Sequence, residues 1–264
     1  MLPGVIEQQK RELIATFGGW TAHNIALGHD LYTMGPGIAG DEIKLRRVIQ
    51  IIADIGGKAF ETLRVLDLAC LEGLYAIELA RRGATVTAIE GRAPNLAKVQ
   101  FVKDVLSLDT LQLIQDDVRH LGKAAHGEFD VVLCLGILYH LDAPDVFQFL
   151  GRVAEVCRGI AIFDTHISLQ PEVSHEFHGK TYWGLTYTEH AAGSTPEERA
   201  SKLWASLDNP TSFWFTRPSL YNALSSAGFT TVFETHVPPE PQRPSDRVTL
   251  VAVKGRRAHL HCAP

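Results

Sequence analysis

The apolar positions in the middle of the chain fall into two alternating kinds of run. Residues 65–69, 85–90, 111–115, 129–135 and 160–164 are short, near-continuous apolar stretches, and each predicts a buried β-strand. Between them, residues 74–82, 95–106 and 143–157 repeat their apolar residues at intervals of three and four, which predicts helices. A further helix precedes the first strand. Leu45, Val48, Ile49, Ile52 and Ile55 form one apolar stripe, with Asp41 as its expected N-cap and Gly56-Gly57 as its stop. Apolar strands separated by helices imply a parallel sheet covered on both faces. Beyond residue 165 this rhythm is lost. Residues 166–216 are rich in His, Trp, Tyr and Thr and read as a long loop-like insertion. A helix at 219–227, closed by Gly228, and strands at 231–236 and 247–254 then complete the pattern. The proline-rich stretch at 238–241 joins those two strands, which are expected to form an antiparallel hairpin at the sheet edge. The expected organisation is a lead-in at 1–40, a core at 41–165, an insertion at 166–216, a closing helix and hairpin at 217–254, and a tail at 255–264.

Composition narrows the classes of function. The chain has 264 residues, 45% hydrophobic and 21% charged, as in a packed globular protein. Its formal net charge is -5 and its densest basic clusters are pairs such as Arg46-Arg47, Arg81-Arg82 and Arg256-Arg257, which argues against a nucleic-acid partner. No stretch approaches the roughly twenty apolar residues that span a bilayer. Cys70, Cys134, Cys157 and Cys262 are scattered without a CxxC pair and are expected to be reduced, in keeping with a cytoplasmic location. Oligomeric state is not encoded in these totals, and a homodimer is one arrangement they leave open.

Ligands of open parallel sheets bind beyond the carboxyl ends of the strands. After the first strand the chain reads Asp67-Leu68-Ala69-Cys70-Leu71-Glu72-Gly73, after the second Glu90-Gly91-Arg92, after the third Asp116-Asp117-Val118, and after the fourth Gly136-Ile137-Leu138-Tyr139-His140. This series resembles the class I S-adenosylmethionine-dependent methyltransferases over about residues 41–165, with their closing hairpin at 219–254. The resemblance implies a Rossmann-like, doubly wound, seven-stranded α/β sheet with a C-terminal antiparallel hairpin, an N-terminal helical lid and an insertion after strand five. It implies S-adenosyl-L-methionine as cofactor. Asp67, Ala69, Cys70 and Gly73 would form the first turn, where Gly73 would let the backbone approach the ligand. Glu90, with Gly91 and Arg92, would take the ribose hydroxyls. Asp117 and the backbone of Val118 would take the adenine, and Leu135 and Gly136 would line the methionine side. One departure stands out. Ala69 and Leu71 occupy positions where the family has glycines, so the turn is expected to follow another path or to tuck Leu71 beneath it. A nicotinamide enzyme would need the G-x-G-x-x-G turn that this chain lacks.

Methyl transfer to a hydroxyl or an amine gains from a general base, and histidine titrates in the right range. His140, just past the fourth strand, and His166, just past the fifth, are the candidates, with Asp164 placed to orient an imidazole. The lead-in Trp20-Thr21-Ala22-His23-Asn24-Ile25-Ala26-Leu27-Gly28 resembles that of the tRNA wobble-uridine carboxymethyl-transferring group, which makes Trp20 and His23 candidate acceptor contacts in a lid. Simple packing of Trp20 and Ile25 on the domain is the alternative. Tyr139 and the insertion aromatics Tyr182, Trp183 and Trp214 suggest an acceptor cap, or else anchors of the insertion. His175-x-x-His178 is the nearest approach to a metal motif, and no metal is expected. The reading is methyl transfer to an O or N atom of a small molecule, against an RNA-modifying methyl or carboxymethyl transferase or a non-catalytic nucleotide-binding protein.

Overall fold

The computed structural model describes residues 1–38, 42–236 and 244–262. The Asp41 N-cap and the proline-rich connection at 238–241 lie outside the described residues.

The lead-in holds α1 (Pro3–Phe17) and a small antiparallel ribbon of β1 (Ala26–Gly28) and β2 (Leu31–Tyr32), followed by α2 (Glu42–Ile55). Alternation then begins with β3 (Arg64–Leu68), α3 (Leu74–Arg81), β4 (Thr85–Glu90), α4 (Ala93–Leu106) and β5 (Leu111–Gln115). It continues with α5 (Lys123–His126), β6 (Phe129–Leu135), α6 (Asp145–Val156) and β7 (Cys157–His166). The insertion contributes β8 (Val173–Phe177), β9 (Lys180–Thr188), α7 (Pro196–Ser201) and β10 (Thr211–Phe215), and the chain closes with α8 (Arg217–Ala227), β11 (Thr231–Glu234) and β12 (Arg247–Val253).

The main sheet runs β11-β12-β7-β6-β3-β4-β5. β3, β4 and β5 pair in parallel, whereas β12 is antiparallel to both β11 and β7. Val65, Leu66 and Leu68 of β3 are fully buried, as expected of a strand covered on both faces. Each such side chain contributes about 1.5–3 kcal/mol of hydrophobic stabilisation.

The insertion departs from the expected loop. It is a three-stranded antiparallel sheet in the order β10-β9-β8. Phe177 pairs with Lys180 across a two-residue turn in which His178 (φ 49°) and Gly179 (φ 72°) are both left-handed, the geometry that matches the twist of a hairpin. Tyr182 and Gly184 of β9 are buried while Trp183 between them is exposed, so the strand has one inner face.

Two compact units are distinguished within the chain. The first is built on Met1–His120, Val132–Leu135 and the described part of His236–Gln242, the second on Leu121–Val131, Gly136–Thr235 and the described part of Arg243–Pro264. Among the described residues no helix is long and apolar enough to cross a membrane.

Candidate functional site

In the first unit the turn at 69–73 keeps the glycine-type backbone without the glycines. Ala69 and Leu71 both have φ 53°, and Gly73 has φ 83°. The expectation that Leu71 would divert the turn is therefore corrected. Left-handed backbone at each non-glycine residue costs about 1–2 kcal/mol. Bonds on both sides fix it: Cys70 N donates to Ile89 O (3.1 Å), Gly73 N to Cys70 O (2.8 Å) and Leu71 N to Glu90 Oε2 (2.9 Å). Gly73 has a packing reason as well: a Cβ there would lie 2.7 Å from Val99 Cγ1, so the glycine makes room for α4. Cys70 presents only backbone, because its thiol is buried and burial pushes its pKa up.

Glu90 ends β4 with its carboxylate buried against that turn. Oε1 accepts Arg92 N (2.8 Å) and Asn95 Nδ2 (3.4 Å), while Oε2 accepts Leu71 N. Burial raises its pKa despite these bonds. Gly91 and Arg92 beside it are half-buried. Asp67 on β3 is also buried, and burial pushes its carboxyl up to about 8. Among the described residues, Asp67 Oδ2 and the indole Nε1 of Trp20 are buried polar atoms without hydrogen-bond partners. Polar atoms of this kind suit a polar ligand.

The parallel register aligns Glu90 with Gln115, so the acids closing β4 and following β5 stand at one sheet edge on adjacent strands. Asp117 is already paired within its own turn. Its Oδ1 accepts Arg119 N (2.8 Å), and Arg119 Nε (3.0 Å) and Nη2 (2.6 Å) reach Oδ2. The arginine outweighs burial and holds this carboxyl below its ordinary value, although burial is the larger single effect and raises it. Val118 has a buried side chain and can offer a ligand only backbone.

Glu72 was not singled out by sequence, yet it organises the lead-in. Its carboxylate accepts the consecutive backbone N–H groups of Thr21 (2.8 Å), Ala22 (3.1 Å) and His23 (3.1 Å). Lys98 Nζ lies 3.2 Å away, with side-chain exposures of 4% for Lys98 and 0% for Glu72. His23 is buried and its Nδ1 accepts Leu74 N at 3.2 Å, so it closes the start of α3 instead of facing an acceptor. Trp20 is also buried, its ring 5.8 Å from Phe101. Packing accounts for the Trp20 ring and for His23, while Trp20 Nε1 keeps no hydrogen-bond partner among the described residues.

In the second unit the short helical turn after β6 (Leu138–His140) is bonded residue by residue to the insertion. Trp214 Nε1 donates to Tyr139 O (2.9 Å), Asn209 Nδ2 to His140 O (2.9 Å) and Phe213 N to Leu141 O (2.9 Å). His140 Nδ1 lies 3.0 Å from both oxygens of Glu189. Its Nε2 has no hydrogen-bond partner among the described residues. Gly136, at the end of β6, has φ 96° and donates its N–H to Asp164 O (2.9 Å); Leu135 before it is half-buried.

His166 does not match its expected role as a base. Nδ1 lies 3.1 Å from Asp246 Oδ2 and Nε2 lies 3.0 Å from Arg247 Nη1, so both ring nitrogens are engaged. Burial, with Arg247 next, lowers its pKa. Asp164 holds Arg247, accepting Nε at 2.7 Å, rather than orienting an imidazole. Trp214 is sandwiched between His166 (4.9 Å) and Tyr187 (4.5 Å), and Tyr139 meets His166 edge-on at 4.8 Å. Tyr182, expected against an acceptor, is core: it packs on Phe147 and its hydroxyl reaches Ser226 Oγ (3.2 Å). Trp183 remains exposed. His175 packs edge-on against Phe213, and among the described residues no group of three or more His, Cys, Asp or Glu is arranged to hold a metal.

A methyltransferase-domain family matches residues 65–159. The chain is similar to the magnesium-protoporphyrin O-methyltransferase of Rhodobacter capsulatus, 32% identical over 100 residues that cover 38% of this chain and 43% of that protein. It is similar to the ubiquinone biosynthesis O-methyltransferase of Hahella chejuensis, 32% identical over 112 residues, 41% of this chain and 45% of that one. It spans less than half the length of these curated relatives. Over its whole length it is similar to the N-terminal domain of EvdMO1 crystallised in the presence of SAH and D-fucose, with a TM-score of 0.73, 25% identity, and coverage of 96% of this chain and 97% of that one. The sheet and its closing antiparallel strands define the class I, Rossmann-like methyltransferase fold.

Proposed function

We propose that the protein transfers the methyl group of S-adenosylmethionine to a hydroxyl oxygen of a small, polar ring compound. The observation that carries this reading is Glu90: a buried carboxylate closing the second parallel strand and tied to the first turn, at the sheet-edge position where an acid takes the ribose hydroxyls in folds of this kind. S-adenosylmethionine supplies a methyl on a sulfonium, which is already a good leaving group. The chain must then hold the acceptor in line and accept one proton.

His140 is the group for that proton. Its Nε2 takes the hydroxyl proton as the oxygen forms its bond to the methyl carbon and the carbon–sulfur bond breaks. His166 instead steadies Arg247. The preference for oxygen rests on the O-methyltransferase relatives, and the preference for a ring polyol on the EvdMO1 domain crystallised with D-fucose. An RNA acceptor gains no support from these proteins, and the net charge of -5 opposes it. The test is mass-spectrometric detection of methyl transfer to a panel of deoxyhexoses and phenols. The reading requires a singly methylated ether product, and a His140→Ala turnover at least tenfold slower. Transfer only to amines, or to RNA, would refute it.

A further inference from the structure

A histidine is a competent base at Nε2 only when its remaining proton is held on Nδ1. We infer that Glu189 is the positioning residue that sets this state of His140, which makes the insertion part of the base rather than only a cover for the acceptor. The inference rests on the reading of His140 given above.

The carboxylate is built into place. Its side chain is 1% exposed and that of His140 is 14% exposed. Ser212 Oγ donates to Oε1 (2.7 Å) and Ser206 N donates to Oε2 (2.9 Å), while the imidazole spans both oxygens. With Ser212 and Ser206 donating to it, the ionised Glu189 is an acceptor only, so the hydrogen between it and the ring must come from Nδ1. The donors outweigh burial, which acts in the opposite direction, and hold the carboxyl below its ordinary value, so it stays ionised. The same elements fix the ring's position: β10 and the residues before it bond to the backbone of Tyr139, His140 and Leu141.

The proton balance is simple. The acceptor hydroxyl loses its proton to Nε2, the ring becomes an imidazolium, and the Nδ1–H···carboxylate bond becomes an ion pair. The imidazolium afterwards returns its proton to solvent. The other titratable groups around the pair are Tyr139, whose ring lies 4.2 Å from that of His140, Arg247 over the Tyr139 ring, and His190, which bonds to Ser206. None of them contacts Nδ1 of His140.

The test is nitrogen NMR of the histidine rings in the full chain, with His140→Gln used for assignment. The wild type should show neutral His140 as the Nδ1–H form. In Glu189→Gln, whose amide can turn either its oxygen or its N–H₂ to the ring, the neutral ring should no longer be held in the Nδ1–H form alone. With that hold released, kcat should fall roughly a hundredfold with cofactor affinity unchanged, and Glu189→Asp should recover part of the loss. A wild-type ring in the Nε2–H form, or a ring that stays wholly Nδ1–H in Glu189→Gln, overturns the inference even if His140 is the base. Full turnover by His140→Ala overturns the base reading instead, whatever the NMR result.

Discussion

Replacing Glu72 with Gln should loosen the lead-in before it affects anything else. The carboxylate serves five donors: three consecutive backbone N–H groups, the Thr21 hydroxyl and the Lys98 ammonium. Glutamine keeps one oxygen, and its amide N–H₂ would face donors on the other side, so at least one backbone N–H loses its partner. Lys98, almost fully buried and otherwise bonded to Gly19 O at 2.7 Å, would keep its charge without its counter-ion. Breaking a buried pair by removing one partner costs about 3–5 kcal/mol. In a chain of this size each kcal/mol lowers Tm by roughly 2–4 °C, so a fall of about 10 °C is expected. Lys98→Met removes the stranded charge, so the double variant should lose clearly less than the sum of the single losses. Thermal melts of the four proteins, together with limited proteolysis, form the assay. Cleavage within residues 18–38 should appear in Glu72→Gln at temperatures where the remainder is still folded. A fall of less than 2 °C, or strictly additive losses, would refute the reasoning.

Two further outcomes follow from other acids of the first unit. Asp67 holds its proton up to about pH 8 in the fold and only to its ordinary value when unfolded. Its contribution to stability is therefore complete at low pH, and it is lost as pH rises through about 8. Asp67→Asn should flatten the decline of Tm between the ordinary carboxylate range and about pH 8, and parallel pH curves for the two proteins would exclude this. Arg119→Ala should free the Asp117 carboxylate. If that acid receives the adenine amino group, affinity for SAH should rise or hold in Arg119→Ala and fall in Asp117→Ala; no change in either variant would move the adenine site elsewhere.

The parallel core was legible because strands covered on both faces must be apolar at every position, as in Val65, Leu66 and Leu68. The insertion sheet was not, because β8 and β9 mix aromatic, Thr and charged residues and only one face is buried. Its best local signal was His178-Gly179, a pair suited to a left-handed hairpin turn. Glu90 and His140 could be placed from their positions after strands. Glu72 and Glu189 could not, since their partners lie 51 and 49 residues away along the chain. Leu71 shows the converse: local preference opposes its backbone, and the bonds to Ile89 and Glu90 impose it. Tyr182 and Trp183 were indistinguishable by composition, and the inward face of β9 separates them.

The account turns on Glu90 as the ribose acceptor, and calorimetric titration of SAH into the wild type and Glu90→Ala tests it most directly. Binding in the wild type and affinity weakened by roughly ten- to a hundredfold in the variant are predicted, as for losing a hydrogen bond to a charged group. Equal affinity in the two proteins, or no binding to the wild type, would contradict it.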